Sequence, residues 1–172
     1  LESDYRITQQ TGRLTVLGRG EKYRIRLQAV SGSLPYDGST HRLEGFEATA
    51  FTADGQSYHV DGVTAEAEGL HAGTYTLAPT GAVRVLDAAG NDVTAQFTVE
   101  TEPGTLTILR RDVTLESASV SAEYSGDPLT SDMVYVRGDG FAEGEGAAYD
   151  VAGSQTVAGS SENSFTYTLL EG

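Results

Sequence analysis

The chain repeats itself. Gly12-Arg13-Leu14-Thr15-Val16-Leu17 returns as Gly104-Thr105-Leu106-Thr107-Ile108-Leu109, a step of 92 residues. The same step carries Thr74-Tyr75-Thr76-Leu77 onto the identical Thr166-Tyr167-Thr168-Leu169, and Tyr5 onto Phe97. Tyr36-Asp37-Gly38 returns as Tyr124-Ser125-Gly126 at a step of 88, and Gly45-Phe46 as Gly140-Phe141 at a step of 95. Unequal steps between matching anchors read as loop insertions, because closure entropy penalises loop length only weakly. A repeat of this period constrains the fold more than any other feature. The unit must bury a core of its own and then be used again.

The chain has 172 residues, and a unit of roughly ninety residues suits one small domain. Residues 1–17 correspond to 93–109 and are expected to be the tail strands of a preceding repeat. Residues 18–109 form the first complete module, and residues 110–172 a second, C-terminally truncated one. At the 92-residue step Gly172 aligns with Thr80, so nothing in the second module answers residues 81–108.

Local patterns within the unit are those of strands. Lys22-Tyr23-Arg24-Ile25-Arg26-Leu27 alternates polar and apolar, as a strand with one wet face does. Glu47-Ala48-Thr49-Ala50-Phe51-Thr52 and Ser57-Tyr58-His59-Val60 flank Asp54-Gly55, which suits a tight hairpin turn. Leu34-Pro35-Tyr36-Asp37-Gly38 carries turn chemistry. Further strands are expected at residues 74–77, 83–86, 97–99, 106–108, 113–115, 133–136 and 165–169. Residues 63–70 read as strand or irregular; their Ala and Glu content permits a short helix, but Gly69 and Gly73 close it quickly. The expected fold class is all-β: two tandem small β-sandwich (Ig-like) modules, the second incomplete. A β-grasp-like α+β module is the alternative.

Charge narrows the partners. The formal net charge is −14, which argues against binding nucleic acid or an anionic membrane through general electrostatics. No apolar run reaches the length that spans a bilayer. The absence of cysteine removes disulfides, thiolate catalysis and Cys-ligated zinc from consideration.

The segments Gly104-Thr105-Leu106-Thr107-Ile108, Arg111-Asp112-Val113-Thr114-Leu115, Tyr124-Ser125-Gly126-Asp127-Pro128-Leu129 and Gly138-Asp139-Gly140-Phe141 resemble MBG/YDG-type repeats of large bacterial surface proteins. Tyr36-Asp37-Gly38 matches the Tyr-Asp-Gly signature, while Tyr124-Ser125-Gly126 has Ser in place of Asp. The resemblance implies an exported, cell-wall-associated adhesin or stalk built of many such modules. It implies no catalytic residues. It also puts in doubt, at Ser125, whatever the signature Asp does.

Candidate chemistry is sparse. His41, His59 and His71 match no metal-ligand spacing and read as surface histidines. Asp139, Glu143, Glu145 and Asp150 offer oxygen ligands of the kind calcium takes, but without the positions of a helix-loop-helix calcium loop. A solvated acidic loop is the expectation, with no cofactor. Residues 138–144 have the wrong glycine spacing for a dinucleotide turn and no helix behind them. Arg137-Gly138-Asp139 spells the integrin-read tripeptide, a short match within the repeat pattern. Lys22, the single lysine, is a candidate for an intramolecular isopeptide bond only if buried beside an acid. No nucleophile elbow is present.

The expected function is therefore mechanical and spatial. The chain is a structural or adhesive repeat of an extracellular bacterial protein, a stalk or spacer presenting a binding region. It is not expected to be an enzyme, and no catalytic or metal residue is assigned. Short junctions such as Leu109-Arg110-Arg111 would limit bending. A carbohydrate- or mucin-binding module is the alternative, and would need exposed aromatics on one face. Expected partners are neighbouring repeats, a host glycan or protein, and further copies through head-to-tail strand exchange by residues 4–17.

Overall fold

The computed structural model describes residues 8–18 and 20–170. It is all-β. Apart from a three-residue 3-10 turn at Thr94–Gln96, the described residues contain no helix. The first half begins with β1 (Tyr23–Gln28), β2 (Gly32–Pro35), β3 (His41–Glu44), β4 (Ala50–Ala53) and β5 (Gln56–Thr64). It continues through β6 (Glu66–Gly69), β7 (Gly73–Leu77), β8 (Thr80–Asp87), β9 (Phe97–Glu102) and β10 (Gly104–Leu109). Then follow β11 (Val113–Ser117), β12 (Val134–Gly138), β13 (Gly146–Val151) and β14 (Phe165–Leu170).

Among the described residues no strand ladder crosses residues 110–112. β1 to β10 pair only with one another, and β11 to β14 do likewise. β1 and β2 form one bent strand, as do β9 and β10 with Pro103 at the bend. β1 runs parallel to β9 and β2 parallel to β10. Proline has no N–H to give a ladder, and here it stands where the strand changes neighbour. β10 is central in its sheet, with β2 on one side and antiparallel β7 on the other.

Alternation then decides what is buried. Leu106 and Ile108 point inward from β10 at 1% and 2% exposure. Leu106 packs with Ala29, Ala65 and Leu77, with Leu34, Leu43, Phe46 and Tyr75 around them. A second apolar group gathers on the β4-β5-β8 sheet. Phe97 lies 4.9 Å from Tyr58, 5.5 Å from Phe51 and 5.3 Å from Tyr23, ring centre to ring centre. The predicted Asp54-Gly55 turn joins β4 to β5, with φ of 47° and 74° at its two residues. Those positive angles give the turn twist that matches the flanking strands.

Three expectations need correction. The β-grasp alternative is the first: β5 ends at Thr64 and β6 is Glu66–Gly69, so residues 63–70 carry no helix, as a strand or irregular reading expects. Residues 8–17 form no strand and lie exposed along their length, and residues 1–7 with Tyr5 fall outside the described residues.

The third concerns the repeat step. Phe46 pairs with Ala29, with Val30 N–H donating to Gly45 O; Val134 pairs with Ser117, with Ala118 N–H donating to Met133 O. Phe46 therefore answers Val134 and not Phe141. Leu43 opposite Ala67 is matched by Leu129 opposite Gln155, a step of 88 from Ala67 to Gln155. Carried back by that step, Val151 falls on Val63, whose partner is Gly81, so Phe165 falls on Gly81. The tetrapeptide at 166–169 thus occupies the return arm of the same hairpin as residues 74–77, but in the place of β8 and not of β7. Two identical words take different registers: β7 is held by β10, and among the described residues the second half has no strand there.

Candidate functional site

Two features stand out, a clamp between the halves and an opening within the second. The clamp is built on Arg111, two residues before β11 begins. Its Nε–H donates to Gly140 O at 2.8 Å and its guanidinium reaches Tyr36 O at 3.3 Å. A third bond goes to Asp139 O. One planar cation therefore ties the carbonyl of the Tyr36-Asp37-Gly38 turn to two carbonyls of the loop after β12. The Tyr36 hydroxyl crosses the same boundary to donate to the Glu145 carboxylate. Tyr36 N–H donates to Leu109 O at 2.8 Å, which carries the β2–β10 pairing up to the boundary.

Close packing reinforces these bonds. A Cβ on Gly38, where φ is +83°, would lie 3.5 Å from Ala142 Cβ, and Ala142 is buried. A crevice of about 280 Å3 remains between Tyr36, His71, Arg110, Phe141 and Glu145. The Glu145 hydrogen bond, aided by partial burial, holds the Tyr36 phenol protonated above its ordinary 10.0.

The signature Asp has a local task. Asp37 Oδ1 accepts from Ser39 N–H at 2.9 Å and lies 2.8 Å from His41 Nε2. The Ser39 bond, then the His41 bond, hold its carboxyl below the ordinary 3.8. Ser125 Oγ accepts from Asp127 N–H at 3.2 Å, the same side-chain-to-backbone turn. Serine therefore does in the second half what Asp37 does in the first. What differs is the partner: Tyr36 is wedged into the junction, whereas Tyr124 is 73% exposed.

The opening lies in the second half. β10 of the first half fills the gap between β2 and the return arm of the β5–β8 hairpin. In the second half the four residues before Tyr124 answer β2, the four before Tyr36. Across from them runs the hairpin tip between β13 and β14. No described strand lies between. A cleft of about 500 Å3 separates residues 120–124 from residues 156–161. A second, of about 710 Å3, lies between residues 117–120 and 160–165. Asn163 lines this second cleft. Its Nδ2 donates to Ala118 O and Ser131 O, and its Oδ1 is buried without a donor.

The remaining candidates come apart. His59 and His71 are exposed, and His41 faces Asp37. Among the described residues no cluster of His, Asp and Glu could hold a metal ion. Glu145 belongs to the clamp, and Asp139 caps β11 by accepting from Asp112 N–H at 2.9 Å. Arg137 pairs with Glu116, and Gly138 is pressed against Asp112 O. The Arg-Gly-Asp tripeptide is thus engaged within the β11–β12 corner. Lys22 is exposed, without the buried setting an isopeptide bond needs. Aromatic side chains do gather in the first half, but they pack on one another around buried Phe97. The exposed tyrosines, Tyr124, Tyr135 and Tyr167, lie on separate elements of the second half. Sequence reading placed Arg111 at a stiff junction but saw neither its acceptors nor Glu145's role. Only the Tyr36-Asp37-Gly38 match hinted at them.

Compared with protein-family models, curated proteins and solved structures, the chain matches none of them.

Proposed function

We propose that this chain is a spacer: a pair of β modules from a repeat stalk of an extracellular bacterial surface protein, holding a binding region away from the cell. The observation that carries the reading is the junction. Arg111 and the Tyr36–Glu145 bond fix one module against the next across a linker of three residues, which is what a stiff spacer requires. Surface supports it. A compact monomer of 18.1 kDa exposes about 8,100 Å2, while this chain exposes 12809 Å2. Among the described residues no charged side chain is buried, and the chain's net charge of −14 keeps neighbouring stalks apart. The likeness of the Tyr36-Asp37-Gly38 and Gly104-Thr105-Leu106-Thr107-Ile108 motifs to MBG/YDG-type repeats points the same way.

The test is replacement. In a surface protein carrying this segment, deletion should abolish on-cell adhesion while the purified binding region keeps its affinity. An unrelated rigid spacer of equal length should then restore adhesion. Failure of that spacer, together with glycan binding by the isolated chain, would overturn the reading in favour of a carbohydrate-binding module.

A further inference from the structure

We propose that the first module carries tension: a pull along the chain shears its terminal strands past each other instead of peeling them apart. The use of such a module rests on the spacer reading; its mechanics rest on the strand pairing alone. The chain enters the module in β1 and leaves it in β10. β1 and β2 run parallel to β9 and β10 with one constant offset of 74 residues, from Tyr23 opposite Phe97 to Pro35 opposite Leu109. The first and last strands are therefore neighbours that point the same way. A pull draws β1 toward its amino end and β10 toward its carboxyl end, so the two slide along their length. The evenly spaced rungs of a parallel pair are then loaded together, and none opens before the rest. Strands entered and left at adjacent ends would open one rung at a time.

The ladder does not lapse at the bend. Ala29 N–H donates to Glu102 O at 2.9 Å, and the Gln28 side-chain amide to Pro103 O at 2.9 Å. Thr105 N–H donates to Ser31 Oγ at 3.1 Å, and Tyr36 N–H to Leu109 O at 2.8 Å. Side chains thus supply bonds at the turn, where Pro103 has no N–H to give. The two bends also nest. A Cβ on Gly104 would stand 1.9 Å from Val30 O, so the backbones touch where both strands turn, and sliding must straighten one bend past the other. β10 is held on its far side as well, antiparallel to β7, with Leu106 and Ile108 buried.

Two ion pairs are inclined along the pull. Arg24 stands opposite Thr98 but reaches Glu100 at 3.9 Å, and Arg26 stands opposite Glu100 but reaches Glu102. Both arginines lean two residues toward the carboxyl end of β9. Tension moves β9 further that way relative to β1, so it stretches these ties from the outset. A pair set straight across the strands would swing before it tightened.

Optical-trap pulling on the 172-residue chain, which has no cysteine of its own, tests this. Handles on Lys22→Cys and Arg110→Cys load the terminal strands in shear. Handles on Thr40→Cys and Arg110→Cys pull at the neighbouring carboxyl ends of β2 and β10, so that rungs yield singly from Tyr36 and Leu109. All three positions are exposed. At one loading rate the shear geometry should need at least about twice the force of the peel geometry, forced unfolding being set by the unfolding barrier. Arg24→Gln with Arg26→Gln should raise the unfolding rate under shear by about fivefold, and leave the peel rate and the circular dichroism unchanged. Equal forces in the two geometries overturn the proposal, as does a double variant that weakens both alike. Neither result decides the spacer reading, whose test is adhesion on the cell: a failed spacer replacement with unequal forces removes the use of the module and not its mechanics.

Discussion

Arg111→Ala should loosen the junction without unfolding either module. The side chain donates to three main-chain acceptors, Gly140 O, Tyr36 O and Asp139 O. A hydrogen bond contributes about 1 kcal/mol net, and more from a charged donor when buried. Arg111 is only half-buried, so the lower figure applies, and the freed carbonyls regain water. The closed junction should lose about 2–3 kcal/mol, which moves the ratio of bent to straight forms by about 30- to 150-fold. Neither hydrophobic core contains Arg111, so the unfolding midpoint of the first module should hardly move. The chain has no cysteine, which makes distance labelling clean. Spin labels on Ser57→Cys and Asp127→Cys, both exposed and in different modules, should give one narrow distance distribution. Adding Arg111→Ala should broaden it. An unchanged width would refute the clamp, and with it the stiffness on which the spacer reading rests.

Other outcomes follow from the same structure. Leu106→Ala should destabilise the first module by about 2–5 kcal/mol, while Leu14→Ala in the monomer should stay within about 0.5 kcal/mol; urea unfolding of the two compares a buried with an exposed copy of one motif. Asp37, Asp87 and Asp92 are held below 3.8, chiefly by Ser39 N–H, by the Asn91 side chain and by the Thr94 hydroxyl respectively. Depressed carboxylates stabilise the fold above the ordinary value and lose that contribution as pH falls through the folded one. Stability should therefore drop below about pH 4, and replacing all three by Ala should flatten that limb; an unaltered limb would exclude these caps as its source. Tyr36 titrates high because Glu145 accepts its proton in a hydrogen bond. Its contribution is present below the ordinary 10.0 and lost as pH rises through the folded value. Ultraviolet titration should show the Tyr36 midpoint falling in Glu145→Gln, and no shift would break the assignment.

How much of this was legible depends on how local each feature is. The β4–β5 hairpin was readable because Asp54-Gly55 and the alternation around it settle both turn and register. β1, β7, β8, β10 and β14 were readable as strands from alternation alone. Alternation does not say which strand lies beside which. The parallel pairings of β1 with β9 and β2 with β10 join residues more than seventy apart, and no local pattern encodes them. The clamp was illegible for a like reason. Arg111 acts on backbone carbonyls, and a carbonyl has no sequence signature. Glu145 read as one more carboxylate of a solvated acidic loop, because a carboxylate's neighbours, not its identity, decide its use.

The tetrapeptide Thr-Tyr-Thr-Leu shows how register is chosen. By the pairing of β13 with β14, Phe165 stands over Gly81, and beyond the register shift between Asp61 and Val63 residues 167–169 stand over residues 84–86, nine positions beyond residues 75–77. The two arms thus differ by the bulge that the first module carries there. Tyr167 and Leu169 line one cavity with Leu115 and Phe141. Something must set which register is used. In the first module that is β10, whose bonds to residues 73–77 hold them at the tip of the hairpin. Among the described residues of the second module no strand does, and Leu169 remains 63% exposed. The register of a repeat is therefore a property of its neighbours as much as of its own residues.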